Sequence, residues 1–281
     1  MSLTTVGVAG GGTMGVGIVH RCLVNDLEVV LVERDDAEAA AARERVAGSL
    51  ERAARRGYLD ADVDEVFGRL TVAGEPGALA GVDLVVEAVP EVVDLKQGLL
   101  GRIEAAVGDD VVIGTNTSSL SIDGLAKALQ GPERFCGMHF FNPVPASDLL
   151  ELIRGSATAP ATMTAAADLG GRLGLTTIEV GDAPGFATSR LGVALGLEAI
   201  RMVQDGVASA EDIDTAMRLG YKHPIGPLRL TDLVGLDVRL GIAEYLAGEL
   251  GPRFEPPQLL RDLVASGKLG KKSGEGFFTW E

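Results

Sequence analysis

The sequence predicts an α/β protein with a doubly wound, mostly parallel sheet, followed by an all-helical domain. Short apolar runs of strand length alternate with helical patterns as far as residue 180, which is typical of a parallel sheet covered by helices. Beyond the segment 182–185 only helical patterns occur. We therefore expect a boundary near residue 185, with one domain at 1–185 and a second, all-helical one at 186–281.

Composition narrows the classes of protein. With 281 residues and 46% hydrophobic content, the chain can bury a substantial core. The net charge of −15 argues against nucleic acid or an anionic membrane as partner. Cys22 and Cys136 form neither a disulfide framework nor a zinc spacing, so we expect no metal and a cytoplasmic setting. The first residues contain three consecutive glycines and no lysine or arginine before Arg21, which fits neither a signal peptide nor a membrane span.

The first predicted strand, residues 4–9, leads directly into a glycine-rich segment that opens a helix. This segment contains the pattern Gly-x-Gly-x-x-Gly: Gly10, Gly12 and Gly15, with Thr13 and Met14 between the last two. Such glycines permit a tight turn, close approach to a pyrophosphate and close packing of helix on strand. The next apolar run, residues 28–32, is a second predicted strand that ends at Glu33, whose carboxylate would accept hydrogen bonds from ribose hydroxyls. Together these features indicate a Rossmann-type dinucleotide site.

The residues after the second strand bear on the choice of cofactor. The carboxylate of Glu33 would repel a ribose 2′-phosphate, although the adjacent Arg34 could pair with one. The sequence therefore favours NAD over NADP.

The second predicted helix, residues 36–57, is rich in alanine, glutamate and arginine. One stripe of this helix carries polar residues at helical spacing: Arg45, Ser49, Arg52 and Arg56. In so acidic a protein, such a stripe could bind an anionic group of a substrate, such as a phosphate. The alternative is a solvated face with ion pairs to Glu44 and Glu51, and the residues alone favour that alternative.

The remaining elements continue the same alternation. Strands are expected at residues 70–72, 83–89, 111–114, 135–138, 149–153 and 176–180, and helices at 92–107 and 161–173. In the second domain, helices are expected at 186–204, 210–219, 231–250 and 257–266.

A polar cluster is expected at the carboxyl ends of the later strands, where open α/β sheets bind their ligands. Asn116 and Ser118 follow one strand, His139 ends the next, and Glu151 lies among aliphatic residues of a third. A carboxylate in such a run is costly unless it has a partner. The residues alone leave open whether His139 and Glu151 are catalytic or are a core histidine and an unrelated buried ion pair.

Six blocks of sequence resemble those of one enzyme family. They are GGGTMG at 10–15, NTSSL at 116–120, HFFNP at 139–143, APGF at 183–186, HPIGPL at 223–228 and LGKKSGEGF at 269–277. In this order, and over nearly the whole chain, they resemble the L-3-hydroxyacyl-CoA dehydrogenases, including bacterial 3-hydroxybutyryl-CoA dehydrogenases. The resemblance implies NAD-dependent interconversion of a 3-hydroxyacyl thioester and its 3-oxo form. It also implies a homodimer formed through the helical domain.

The resemblance assigns roles to the polar cluster. His139 would take the proton from the substrate hydroxyl while hydride leaves the same carbon for the nicotinamide. Glu151 would hold His139 in position and stabilise its protonated form. Ser118 would hydrogen-bond the reacting oxygen, and Asn116 and Asn142 would contribute to the same pocket.

The resemblance also assigns contacts outside this cluster. Ser49 and Arg56 align with contacts to coenzyme A, which makes the stripe on the second helix a stronger candidate for binding phosphate. Glu91, Lys96 and Asn116 would contact the cofactor. The alternative interpretation of Lys96 is a solvated helix lysine. His20 is expected to be structural.

Ser189 departs from the family pattern, which has asparagine in this segment near the substrate's reacting end. Serine is shorter and lacks the amide, so that contact must be rebuilt, mediated by water or absent. The sequence therefore leaves the identity of the acyl group and its carrier undecided. One alternative is the same chemistry on a hydroxyacyl group bound to a carrier protein, or on a free 3-hydroxy acid such as a sugar acid. A non-catalytic NAD-binding protein is a further one, against which the joint presence of His139, Glu151 and Ser118 argues.

Overall fold

The computed structural model describes residues 3–280 and divides into two compact units. The first unit ends at Asp182 and the second begins at Ala183, three residues before the predicted boundary. Within residues 3–280, no helix is long and apolar enough to cross a membrane.

The first unit is built on one eight-stranded sheet with the order β3-β2-β1-β4-β5-β6-β7-β8. Its strands are β1 (Thr5–Ala9), β2 (Glu28–Val32), β3 (Leu70–Ala73), β4 (Leu84–Glu87), β5 (Val112–Thr115), β6 (Phe135–Phe140), β7 (Leu149–Arg154) and β8 (Thr176–Gly181). All neighbours pair in parallel except β6 and β7, which are antiparallel. The predicted doubly wound, mostly parallel sheet is confirmed. The strand order changes direction between β1 and β4, which is where such sheets bind nucleotides.

Within residues 3–182 the α-helices are α1 (Thr13–Leu23), α2 (Asp36–Arg55), α3 (Val63–Phe67), α4 (Val93–Ala106), α5 (Ile122–Ala126) and α6 (Pro160–Arg172). The bounds of α2 follow from its ends. The Asp35 carboxylate accepts a hydrogen bond from Glu38 N and so caps the start of the helix. Acidic residues in the first turn and arginines in the last turn interact favourably with the helix dipole. The core lies between the strands and the apolar sides of the helices, with Ile18, Leu31 and Val46 fully buried.

The second unit consists of helices: α7 (Thr188–Gln204), α8 (Ala210–Gly220), α9 (Pro227–Val234), α10 (Leu236–Leu250) and α11 (Gln258–Ala265). The single helix predicted at residues 231–250 is wrong, because α9 ends at Val234 and α10 begins at Leu236, with Gly235 between them. That residue has φ of +104°, a conformation that glycine adopts readily and that interrupts a helix. Pro227 occupies the first position of α9, where its missing N–H has no cost.

Asp232 of α9 connects the end of the described chain to this helical unit. Its fully buried carboxylate accepts hydrogen bonds of 2.9 Å each from Phe277 N, Phe278 N and Trp280 Nε1. The last residues before 280 are therefore held against α9 by one side chain.

Candidate active site

The centre of the site is a histidine and a glutamate on the antiparallel pair β6 and β7. His139 lies directly opposite Glu151 in the register of these strands, so the two side chains project from the same face of the sheet. His139 Nδ1 is 2.9 Å from Glu151 Oε2, and the two residues are 8% and 0% exposed. The predicted neighbours are thus brought together across a hairpin.

This contact sets the chemistry of the imidazole. Because an ionised carboxylate only accepts hydrogen bonds, Nδ1 carries the hydrogen and Nε2 is the basic nitrogen. When Nε2 takes up a proton, the adjacent negative charge of Glu151 stabilises the imidazolium. The Phe141 ring packs against His139, with centroids 4.4 Å apart, which further restricts the imidazole.

Asn116 and Ser118 lie in the segment that follows β5, beside the strand of His139. Thr115 at the end of β5 is in register with Gly137 of β6. Asn116 Oδ1 accepts a hydrogen bond of 2.9 Å from Phe140 N, which ties this segment to β6. Ser118, Asn116 and His139 therefore lie at the same edge of the sheet, as the sequence predicted for a ligand site.

The three motif glycines differ in their surroundings. Gly10 has φ of +104°, and a Cβ at Gly15 would collide with the Gly10 carbonyl oxygen. A Cβ at Gly12 would meet no atom within 4 Å, so the backbone there faces open space. No side chain caps α1, whose first-turn N–H groups, starting from Thr13 and Met14, are in place to bind a pyrophosphate. These residues fit a dinucleotide.

Glu33 follows β2 and borders this glycine turn. Its Oε1 accepts a hydrogen bond of 2.6 Å from Gly11 N, and Arg45 Nε donates one of 2.9 Å to Gly11 O. Arg34, the residue considered for a 2′-phosphate, forms an ion pair of 2.7 Å with Glu38. Glu33 and Arg45 thus hold the glycine turn in place by hydrogen bonds to Gly11, while Arg34 is paired with Glu38.

The arginine stripe of α2 does not act as one unit. The side chain of Arg45 contacts the glycine turn, whereas Ser49 Oγ forms a hydrogen bond of 2.9 Å with His20 Nδ1. Burial, reinforced by nearby Arg21 and Arg52, lowers the pKa of His20 to about 4, so it is neutral at neutral pH. Arg56 is exposed.

The expected ion pairs of this stripe also differ from those observed. Arg45 lies near Glu33 and Glu38, at 4.0 and 3.9 Å. Glu51 pairs with Arg55, which is outside the stripe. Within residues 3–280, no ion pair joins the stripe to Glu44 or Glu51, so that interpretation of the stripe is wrong in its partners.

The alternative interpretation of Lys96 as a solvated helix lysine is wrong, and its contact with the cofactor stays a prediction. The side chain is fully buried, and its Nζ lies 2.9 Å from Glu87 Oε1 and 3.6 Å from Glu91 Oε2. Glu87 was missed, although it carried a usable signal: an acidic residue that ends an apolar strand needs a partner, as for Glu151.

Asn142 and Ser189, like the other predicted contacts with substrate and cofactor, remain predictions. Asn142 is exposed and follows β6, in a cis peptide bond with Pro143. Ser189 is half-buried in the first turn of α7, in the second unit.

Comparison with known proteins gives the same family along the whole chain. The model of the 3-hydroxyacyl-CoA dehydrogenase NAD-binding domain matches residues 5–183, and that of the C-terminal domain matches residues 185–280. A 3-hydroxybutyryl-CoA dehydrogenase of Mycobacterium tuberculosis is 40% identical over 283 residues, covering 99% of each chain.

Solved structures agree with these matches. The (S)-3-hydroxybutyryl-CoA dehydrogenase PaaH1 from Ralstonia eutropha has 42% identity and a TM-score of 0.93, covering 100% of both chains. An NAD+-dependent dismutase, the 5-dehydrogenase of 5-formyl-3-hydroxy-2-methylpyridine 4-carboxylic acid, has 32% identity and a TM-score of 0.77, covering 99% of this chain and 91% of that one. With its glycine turn, its His139 and Glu151 pair and these matches, the chain belongs to the 3-hydroxyacyl-CoA dehydrogenase family.

Proposed function

We propose that the protein is an NAD-dependent dehydrogenase that interconverts a 3-hydroxyacyl-CoA and its 3-oxoacyl form. The observation that carries this proposal is the distance of 2.9 Å between His139 Nδ1 and Glu151 Oε2. These residues lie on the same sheet whose first strand leads into the NAD-binding glycine motif. NAD, when bound, accepts the hydride from the carbon that bears the hydroxyl. His139 takes the hydroxyl proton on Nε2, and Glu151 stabilises the charge that results.

Ser118 has the second role at the reacting carbon. Its hydroxyl lies in the segment tied to β6 through Asn116, and it orients the substrate oxygen toward His139. A fixed hydroxyl costs little reorganisation during the reaction, which favours the transition state.

The carrier we propose is coenzyme A, with a short acyl group such as hydroxybutyryl, in a reaction of fatty acid metabolism. The relatives from M. tuberculosis and R. eutropha carry names that specify this substrate. Arg56 is exposed near the end of α2, and its guanidinium suits a phosphate of the carrier. Ser49 is held by the neutral imidazole of His20 and offers a hydroxyl on the same stripe.

Steady-state kinetics test both the reaction and the carrier. NADH oxidation is followed with acetoacetyl-CoA, with free acetoacetate and with a carrier-protein-bound 3-oxoacyl group. We expect acetoacetyl-CoA to be preferred. Arg56→Ala should raise its KM about tenfold at unchanged kcat, since a charge-assisted contact is worth about 1.5 kcal/mol.

Arg55→Ala is the matched control, because Arg55 is an exposed arginine of the same helix that pairs with Glu51. Its KM should be unchanged. Preference for the free acid, together with indifference to Arg56→Ala, would establish the second candidate function, a dehydrogenase of free hydroxy acids. That candidate is favoured by the 32% identity to a dehydrogenase of a pyridine carboxylic acid.

We also propose a homodimer that forms through the helical unit. Leu191 and Leu195 lie four residues apart on α7 and are 70% and 36% exposed, and Val238 on α10 is 43% exposed. Exposed apolar residues at helical spacing suit an interface between copies. Light scattering should give a dimer that Leu191→Glu dissociates. The proposed setting is the cytoplasm, which accords with two buried, unpaired cysteines, Cys22 and Cys136.

A further inference from the structure

Glu87 is a buried carboxylate of the first unit that has no part in the reaction as described above. It ends β4 and is fully buried. Its oxygens accept hydrogen bonds from Val89 N at 2.7 Å, Thr115 Oγ1 at 2.5 Å and Lys96 Nζ at 2.9 and 3.0 Å. These donors belong to the chain after β4, the end of β5 and α4. Glu87 therefore joins three segments at the carboxyl edge of the sheet.

Lys96 supplies the positive charge of this cluster. Besides its contacts with Glu87, its Nζ lies 3.6 Å from Oε2 of Glu91. A buried ion pair rarely adds stability over a well-packed apolar pair of similar size. The stability of the fold therefore does not by itself explain a lysine at this position. The proximity of its Nζ to Glu91 indicates a further role.

Glu91 holds the segment that carries Ser118. Its Oε1 accepts hydrogen bonds from Thr117 Oγ1 at 2.6 Å and Ser118 N at 2.9 Å. The N–H of Ser119 and both serine hydroxyls lie 3.3 Å from the same oxygen. Because five donors converge on one oxygen, the orientation of Glu91 determines where the hydroxyl of Ser118 lies.

The other side of this segment is tied to the strand of His139. Asn116 Oδ1 accepts the hydrogen bond of Phe140 N, one residue beyond His139. Residues 117–119 are thus held between β6 and Glu91. If Glu91 changes its orientation, its hydrogen bonds to residues 117–119 are lost.

We propose that Glu87 is a positioning residue of the dehydrogenase, acting through Lys96 and Glu91 to hold the Ser118 hydroxyl where the substrate oxygen binds. The inference rests on the proposed function, since the reaction gives Ser118 its role. Glu87 fixes the ammonium of Lys96, and that ammonium fixes one oxygen of Glu91. The other oxygen of Glu91 then holds Ser118.

A double-mutant cycle tests this chain of contacts. Glu87→Gln keeps the size of the side chain and removes its charge. In the wild-type background it should lower kcat by about tenfold to hundredfold, the scale of a misplaced contact. In a Ser118→Ala background the same change should lower kcat by less than about twofold, because the residue through which Glu87 acts is already absent. Equal factors in the two backgrounds would overturn the proposal.

Glu104→Gln is the control for a general loss of a buried ion pair. Glu104 pairs with Arg134 at 3.3 Å, and both side chains are 10% exposed. It also accepts hydrogen bonds from Gln130 N and Gly131 N. Glu104→Gln should lower the Tm and leave kcat unchanged. A loss of kcat equal to that of Glu87→Gln would show that any broken buried pair suffices, and the proposal would fail.

A readout without substrate separates this proposal from the proposed function. The amides of Ser118 and Ser119 donate to Glu91, so their hydrogen exchange should be about tenfold faster in Glu87→Gln and unchanged in Glu104→Gln. Unchanged exchange in Glu87→Gln would overturn the positioning role. Absence of turnover by the wild-type protein, with exchange altered as expected, would overturn the proposed function instead.

Discussion

The two units of the molecule both bury carboxylates, but they surround them differently. In the first unit, Glu151 faces the imidazole of His139 and Glu87 faces the ammonium of Lys96. In the second unit, Asp232 accepts hydrogen bonds from N–H groups of residues 277–280.

Asp214 of α8, also in the second unit, accepts hydrogen bonds from backbone N–H groups as Asp232 does. Its oxygens accept hydrogen bonds of 2.8 and 2.9 Å from Leu228 N and Arg229 N, in the first turn of α9. A backbone amide does not donate or accept a proton during catalysis, whereas an imidazole gains and loses a proton readily near neutral pH. We therefore expect a buried carboxylate beside an imidazole to serve proton transfer, and one that accepts only from backbone or indole N–H groups to be a structural connection.

The largest effect that would test this comparison is expected from Glu151→Gln. The substitution keeps an acceptor near His139 Nδ1 and removes the negative charge that stabilises the imidazolium. We expect kcat to fall by about 10²–10³-fold, within the range of general-base effects. Steady-state kinetics with acetoacetyl-CoA measure it. A kcat within twofold of the wild-type value would place Glu151 with the structural carboxylates.

Asp232→Asn should produce the opposite pattern. An amide group can accept on its oxygen but not on its nitrogen, so at least one buried N–H loses its partner. We expect the free energy of unfolding to fall by about 2–3 kcal/mol, since an unsatisfied buried donor costs about 1–3 kcal/mol. Urea denaturation followed by circular dichroism measures this change. A fall in the kcat of the folded variant beyond twofold would contradict a purely structural role.

His20→Gln refines the comparison, because His20 is a buried histidine of the first unit whose partner is the Ser49 hydroxyl and not a carboxylate. Its pKa is lowered from 6.5 to about 4, so the unfolded chain takes up a proton first as the pH falls. Stability contributed by the neutral form is present above pH 6.5 and is lost as the pH falls from 6.5 toward 4.

The size of this loss follows from the shift. A pKa that falls from 6.5 to about 4 corresponds to about 3.4 kcal/mol at most. His20→Gln keeps a group that can bond Ser49, and its unfolding free energy should fall less between pH 7 and pH 4 than that of the wild type. Parallel pH dependences of the two proteins would contradict this assignment.

Glu33→Gln should give the smallest effect. This carboxylate also accepts from backbone N–H groups, those of Gly11 and Arg34, yet it lies beside the glycine turn. Removing its charge removes repulsion of a 2′-phosphate, so the preference for NADH over NADPH should fall by about tenfold, or about 1.4 kcal/mol. Fluorescence titration with both cofactors measures the ratio. An unchanged ratio in Glu33→Gln would remove Glu33 from cofactor choice.

The strands and long helices could be predicted from the sequence because they carry the strongest local signals. β2 begins and ends at the predicted residues, 28 and 32. By contrast, α3 and α5 have five residues each, too few for a helical period to show. The break at Gly235 was missed since apolar spacing continues across it, and only its positive φ interrupts the helix.

The site shows a similar division. The positions of Gly10, Glu33, His139 and Glu151 relative to the strands could be predicted because each follows or interrupts a strand in a recognisable pattern. The buried state of Lys96 could not be predicted, since its partner Glu87 is nine residues away on another element. Nor could the antiparallel pairing of β6 with β7, which sets His139 opposite Glu151, because strand direction depends on contacts that local pattern does not encode.

The measurement that tests the central claim most directly is the rate of NADH formation from NAD and 3-hydroxybutyryl-CoA, with wild-type protein and His139→Gln side by side. If His139 takes the hydroxyl proton, the wild type turns over and His139→Gln loses about 10²–10⁴-fold in kcat while its Tm stays within a few degrees. An equal rate in both proteins would contradict the assignment of His139 as the base.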